Sequence, residues 1–245
     1  MTDPSARPVA VVTGASRGLG EVIAGFLAGA RYDLVLVARG STDLARVADR
    51  IRTRGGVVTE IAGDVADAGV RSEIRTAVAR SGRLDLLVNN ASELGPSGRP
   101  SLLQVPGEEF ERVLRVNVVA PVALVRELLP VLRAAPSPLV VNISSDAAVG
   151  AYPGWGPYGA SKAALDLVTR TLAAELATDR VSVVSVDPGD LRTAMHQAAF
   201  AGEDISDRPL PEVTVPFWAW LLGREPSTVT GQRFQAQAER WGVPA

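Results

Sequence analysis

The chain has no cysteine and one histidine, His196. The first absence excludes disulfides, thiolate nucleophiles, cysteine-held zinc and iron–sulfur clusters. The second excludes a multi-histidine metal site within one chain, and no metal is expected. A serine–histidine–acid triad would have to use His196, and no Gly-x-Ser-x-Gly elbow accompanies it. No apolar run reaches membrane-spanning length, so no membrane partner is expected. Residues Met1–Ser5 lack a basic region followed by an apolar one, which makes a cytoplasmic rather than a secreted protein the expectation. A net charge of −2 is not that of a nucleic-acid binder driven by phosphate contacts. Nothing divides the 245 residues: there is no Pro/Ser/Gly-rich linker, internal repeat or low-complexity tract. One domain over 1–245 is expected, with a short flexible tail at 1–7. Hydrophobic residues make up 47% of the chain, enough for a large core.

Short continuous apolar runs alternate with helical patterns. Strands are expected at Val9–Val12, Leu34–Val37, Val57–Ala62, Leu84–Val88, Leu139–Ile143 and Val181–Val186, with a short one at Gln232–Gln235. Helices are expected at Glu21–Ala30, Ser41–Arg54, Val70–Arg80, Tyr158–Ala177 and Phe217–Leu222. A long helical pattern runs from Glu108 to Arg133, and Pro121 should kink it. This alternation means a doubly wound parallel sheet covered by helices on both faces, a three-layer α/β/α Rossmann-like domain. In such sheets ligands bind beyond the carboxyl ends of the strands.

The residues with chemistry follow those ends. After the first strand come Thr13-Gly14-Ala15-Ser16-Arg17-Gly18-Leu19-Gly20. Gly14, Gly18 and Gly20 let a backbone turn tightly and approach a pyrophosphate at a helix N-terminus. A turn needed only for chain reversal would look the same. Tyr158 and Lys162 are four apart and share a helix face. A cation near a phenol stabilises the phenolate, and a phenol near neutrality can pass a proton. Surface pairs meet the same spacing.

The order of these residues carries more than any one of them. The glycine turn is followed by Asn89-Asn90-Ala91, Asn117, Ser145, Tyr158, Lys162 and Pro188-Gly189. From about Val9 to Gly231 the chain resembles the short-chain dehydrogenase/reductase family, whose turn is T-G-x-x-x-G-x-G. The resemblance implies an NAD(P)-dependent oxidoreductase moving a hydride between an alcohol and a carbonyl. It implies a catalytic set of Asn117, Ser145, Tyr158 and Lys162. The thirteen-residue offset from the tyrosine selects Ser145 over Ser144. It implies cofactor contacts from Gly14, Ser16, Arg17, Gly18, Leu19 and Gly20, from Asp64 and Val65 after the third strand, and from Asn90 and Ala91. Tyr158, Lys162, Pro188, Gly189 and Thr193 complete that set.

Two departures stand out. Ser92 occupies the place of the family's usual glycine after Asn89-Asn90-Ala91, and could tighten the turn. Ala38, at the end of the second strand, stands where an NAD enzyme places an acid. Arg39 follows it, and with Arg17 would suit a 2′-phosphate. NADP(H) is therefore favoured over NAD(H), although both arginines could be solvated surface residues. Substrate contacts are expected from Leu94, Tyr152, Trp155, Met195 and His196. Tyr152 and Trp155 suggest an aromatic or bulky apolar substrate, or else pack their own loop. A 3-oxoacyl-carrier-protein reductase and a non-catalytic NAD(P) sensor are the alternatives. The resemblance also implies a homodimer or homotetramer.

Overall fold

The structure, a computed structural model, describes residues 7–242. Residues 1–6 of the expected tail lie outside the described residues, whereas Arg7 is placed, 3.5 Å from the Asp33 carboxylate. The apolar runs form β1 (Val9–Thr13), β2 (Asp33–Ala38), β3 (Val58–Ala62), β4 (Leu86–Asn89), β5 (Leu139–Ile143), β6 (Ser182–Asp187) and β7 (Arg233–Gln235). All pair in parallel in one sheet of order β3-β2-β1-β4-β5-β6-β7. From β1 the chain winds outward to β3, then returns to the other side of β1 with β4. The crevice at this reversal, between the ends of β1 and β4, is where such sheets hold ligands.

β1, β5 and β6 are buried along their whole length, because helices cover both faces. Successive side chains on a strand point to opposite faces. Ala10 and Val12 therefore pack with α1 (Gly18–Gly29), α2 (Ser41–Thr53) and α8 (Val215–Leu222), through Ile23, Leu44 and Phe217 among others. Val9 and Val11 face α3 (Ala68–Ala79), α5 (Ala120–Arg133) and α6 (Gly156–Glu175). Truncating a fully buried residue such as Ile23 or Leu124 to alanine would cost about 2–5 kcal/mol.

The long helical pattern is distorted in the turn that precedes Pro121. α4 (Gly107–Leu114) passes into a π-helical turn at Arg115–Val119 before α5 begins, and Pro121 falls in the first turn of α5. Helical dihedrals run on through Val119 and Ala120, so Pro121, lacking an N–H, leaves the carbonyl four residues back without its α-helical donor. That residue is Asn117, on which the distortion centres. A short helix, α7 (Ala194–Ala199), lies over the site, its first turn capped by Thr193.

Candidate active site

The glycine turn is held from behind. Gly14 and Gly18 have φ of +66° and +57°, a region that favours glycine. A Cβ on Gly14 would lie 2.7 Å from Asn90 Nδ2, and one on Gly20 would run into the Gly14 carbonyl. Asn90 Nδ2 donates to the carbonyls of Thr13 (2.9 Å) and Gly14 (3.2 Å), while Thr13 Oγ1 accepts from the N–H groups of Asn90 and Ala91. Asn90 thus locks the turn. Arg17 precedes α1 without capping it by its side chain, which leaves first-turn N–H groups without that partner. A phosphate could take them. Ser16 and Leu19 line the same cleft.

At the end of β2, Arg39 does not stand free. Its Nη1 lies 3.2 Å from Glu93 Oε2, and Arg112 Nη1 lies 3.0 Å from the same oxygen. Arg17 is exposed, with no ion pair among the described residues. The Asp64 carboxylate accepts from the N–H of Ala66 at 2.9 Å, so one oxygen is engaged in a turn. Asp64 and Val65 nevertheless line the cleft, as do Pro188, Gly189 and Thr193 on the opposite side. The whole cleft measures about 990 Å³, enough for a dinucleotide with a small substrate. The glycine turn, the uncapped helix and this volume fit an NAD(P) cofactor.

The four expected catalytic residues converge. Asn117 is buried, and its side chain is fully engaged. Nδ2 donates to the Glu93 carbonyl and to Ser161 Oγ, both at 2.9 Å, and Oδ1 accepts from the N–H of Glu93 at 2.8 Å. Asn117 therefore ties the π turn to the loop after β4 and to α6. Lys162 Nζ is buried, donates to the Ile143 carbonyl at 2.8 Å and lies 5.4 Å from the centre of the Tyr158 ring. Burial pulls its pKa down to about 8, against an upward pull from Asp166. It is also the only lysine in the sequence.

Burial pushes the Tyr158 phenol above its ordinary value, reinforced by the charges of Asp187 and Asp146; hydrogen bonds from Ser145 and Ser92 oppose it. The expectation was a phenol lowered in part by the lysine and further by an oxidised nicotinamide. In the protein alone desolvation sets the direction, and Lys162 is not among the groups that lower the phenol. Ser145 Oγ accepts from the Ala147 N–H (3.1 Å) and donates to Asp146 Oδ1 (2.9 Å). Ser144, which also lines the cleft, has its Oγ buried and without a partner among the described residues.

The far end of the cleft is aromatic. Trp155 meets Tyr158 edge-on at 5.7 Å and Phe200 at 6.1 Å; His196 stacks on Phe200 at 4.8 Å. Arg99, from the loop after β4, lays its guanidinium over Phe200 at 4.6 Å. All five expected substrate residues, Leu94, Tyr152, Trp155, Met195 and His196, line the cleft, and Trp155 also packs against its neighbours Tyr158 and Phe200.

Sequence reasoning gave no role to three groups found here. Asp187 immediately precedes Pro188-Gly189, which was a signal in plain view. Ser92, noted only as a departure, brings a hydroxyl to Tyr158 that also lies 3.3 Å from Asn117 Oδ1. Arg233, on β7, contacts three segments of the site. No local pattern marks it.

A family model described as short chain dehydrogenase matches residues 8–204. The chain is 31% identical over 241 residues to dehydrogenase/reductase SDR family member 4 of Bos taurus, covering 94% of this chain and 86% of that one. It is 35% identical over 192 residues to a rhamnolipids biosynthesis 3-oxoacyl-[acyl-carrier-protein] reductase of Pseudomonas aeruginosa, covering 76% and 74%. Among solved structures, L-sorbose reductase from Gluconobacter frateurii, complexed with NADPH and L-sorbose, superposes with a TM-score of 0.83 at 27% identity, over 94% and 95% of the two chains. A short chain dehydrogenase from Shigella flexneri complexed with NADP gives a TM-score of 0.86 at 29% identity, over 94% and 97%.

Proposed function

Because this chain belongs to the short-chain dehydrogenase/reductase family and is an NAD(P)-dependent oxidoreductase, we propose that it interconverts a ketone or aldehyde and an alcohol, with NADP(H) favoured over NAD(H). The observation that carries the proposal is the Tyr158 phenol, set beside the Ser145 hydroxyl and Lys162 in the cleft that also holds the glycine turn. A bound nicotinamide supplies or accepts the hydride. In the reducing direction Ser145 holds the carbonyl oxygen and favours its developing charge. Tyr158 gives that oxygen its proton and acts as base in the reverse direction. Lys162 returns the proton to the phenol. A cation with a pKa of about 8 can do so near neutrality, whereas arginine cannot. Asn117, its side chain fully engaged, serves by fixing the π turn and the loop at Glu93.

The NADP(H) preference rests on Arg39 and Arg17, with Ala38 rather than an acid ending β2 itself. Trp155, Phe200 and His196 favour an aromatic or bulky apolar substrate. A carrier-protein substrate would call for a basic mouth, but Asp146 and Asp190 stand beside Tyr152 there. The cytoplasm remains the proposed location; among the described residues no helix is long and apolar enough to cross a membrane. A homodimer or homotetramer is supported by exposed apolar side chains at Val119 and Leu167, on the segments carrying Asn117 and Tyr158. Light scattering of the purified protein tests the assembly. For the reaction, a panel of ketones and alcohols is incubated with each of the four nicotinamide cofactors and followed by the absorbance of the reduced ring. Absence of turnover across the panel, with cofactor still bound, would favour a sensor instead.

A further inference from the structure

Behind the catalytic residues lies a second layer of charge. Arg233 opens β7 at the edge of the sheet, and its guanidinium reaches inward. Nε donates to Asp166 Oδ2 at 3.0 Å; Nη2 donates to Asp187 Oδ2 at 3.0 Å and to the Ser145 carbonyl at 2.9 Å. The three acceptors sit on three separate carriers of the site. Asp166 is one helical turn beyond Lys162 on α6. Asp187 ends β6, and its other oxygen accepts from the N–H of Gly189 at 3.0 Å. Ser145 contributes its own backbone. Both carboxylates are buried, 5% and 3% exposed, so each needs a counter-charge. Arg233 is the only cation paired with either among the described residues.

We propose that Arg233 is a positioning residue of the active site, holding Ser145, the Pro188-Gly189 segment and the Lys162 helix in register while balancing the two acids behind the reacting phenol. The inference rests on the oxidoreductase reading. A planar fork with donors pointing in different directions suits three acceptors at once, which a lysine cannot match. The charges facing Tyr158 are Lys162 from α6, Asp146 after β5 and Asp187 from β6; the hydroxyls of Ser145 and Ser92 complete its surroundings. Asp187 is faced by Arg233 and Asp146, and Asp166 by Arg233 and Lys162. Without the guanidinium, Asp187 acts on the phenol unopposed and disfavours its ionised form.

The test compares Arg233→Gln, Arg233→Lys and the double variant Arg233→Gln/Asp187→Asn with the parent. Alcohol oxidation is followed against pH, since that direction requires an ionised phenol. Arg233→Gln should move the rising limb about one unit to higher pH, equivalent to about tenfold less turnover below it. Arg233→Lys restores the charge without the fork, and should return the limb while leaving turnover below the parent. The double variant removes both charges and should also return the limb. Melting temperatures without cofactor or substrate give an independent arm. Arg233→Gln should melt lower than the parent, and the gap should narrow as pH falls, because protonation relieves an unpaired buried Asp187. A limb unmoved in Arg233→Gln, or a melting gap that does not change with pH, would overturn the proposal. So would a limb that stays shifted in both the Lys and the double variant. If Arg233→Gln does not fold, Arg233→Lys and the double variant decide by the position of the limb. If the parent shows no turnover, the alcohol–carbonyl reading fails by itself and the melting arm judges the charge linkage.

Discussion

Arg39 and Glu93 meet at 3.2 Å across the cofactor cleft, joining the end of β2 to the loop after β4. The guanidinium expected to receive a 2′-phosphate is therefore already held by a carboxylate, and NADP(H) binding through it would exchange one anion for another. Arg39 is 61% exposed, so the bridge itself is worth only about 0.2–1 kcal/mol.

That comparison gives a signed prediction for cofactor choice. Replacing Arg39 with alanine should weaken NADPH by about 10- to 150-fold, the equivalent of a charge-assisted contact worth about 1.5–3 kcal/mol. NADH should change little. Glu93→Gln releases Arg39 and should tighten NADPH about two- to fivefold, less as salt is added. Dissociation constants from quenching of intrinsic fluorescence at one ionic strength measure both. Equal NADPH and NADH affinities in the parent would remove the proposed preference. Arg17 could share the phosphate, so the effects need not add.

Tyr158→Phe should cut turnover about 10²- to 10⁴-fold, the usual share of a general acid–base group, with cofactor binding intact. Ser145→Ala should lose about 10²- to 10³-fold, as when an oxyanion donor is removed. Ser144→Ala should retain turnover and raise the melting temperature, because it deletes a buried hydroxyl with no partner. Steady-state kinetics and a melting curve of each variant suffice. A Ser144 variant more impaired than the Ser145 one would mean that the register after β5 is misassigned.

What could be read ahead of the structure was local. The glycine turn and the Tyr158–Lys162 pair lie within one loop or one helical turn, and apolar runs report strands buried on both faces. The site's long-range partners left no such trace. Glu93 stands 54 positions from Arg39, and Arg233 stands 67 from Asp166 and 88 from Ser145. Nothing in the local pattern says which acid an arginine will meet. Pro121, by contrast, acts locally: the turn before it, around Asn117, is the distorted one. The direction of the phenol's shift also required depth, since it turns on desolvation.

Lys162 allows a direct measurement, because no other lysine competes with it in the sequence. Its folded pKa of about 8 lies below its ordinary 10.5. Between those values the unfolded chain holds more protons than the native one, so stability should rise with pH across about 8 to 10.5. Below that window the native state bears the full cost of a buried ammonium. Lys162→Met should abolish this rise together with catalysis. Competitive acylation of the side-chain amine against pH, read by mass spectrometry, locates the titration itself. A midpoint near 10.5 would show the amine to be as hydrated as a surface lysine.

The final prediction concerns Ser92, where the family usually has glycine. Its hydroxyl lies 3.3 Å from Asn117 Oδ1 and beside the Tyr158 phenol; with its one proton turned to the phenol it favours the ionised form. Ser145 supplies a similar bond from the other side. Removing one of two such partners should move the rising limb of alcohol oxidation to higher pH. A net hydrogen bond of about 0.5–1.5 kcal/mol corresponds to about two- to tenfold less turnover below the limb. Ser92→Gly also loosens the backbone, whereas Ser92→Ala removes the hydroxyl and keeps a Cβ. If the hydroxyl matters, both variants should shift the limb equally. If the turn matters, only the glycine variant should lose turnover, and its limb should stay where the parent has it. A full pH–rate profile of the three proteins separates these outcomes, and unchanged profiles in both variants would leave Ser92 no part in tuning the phenol.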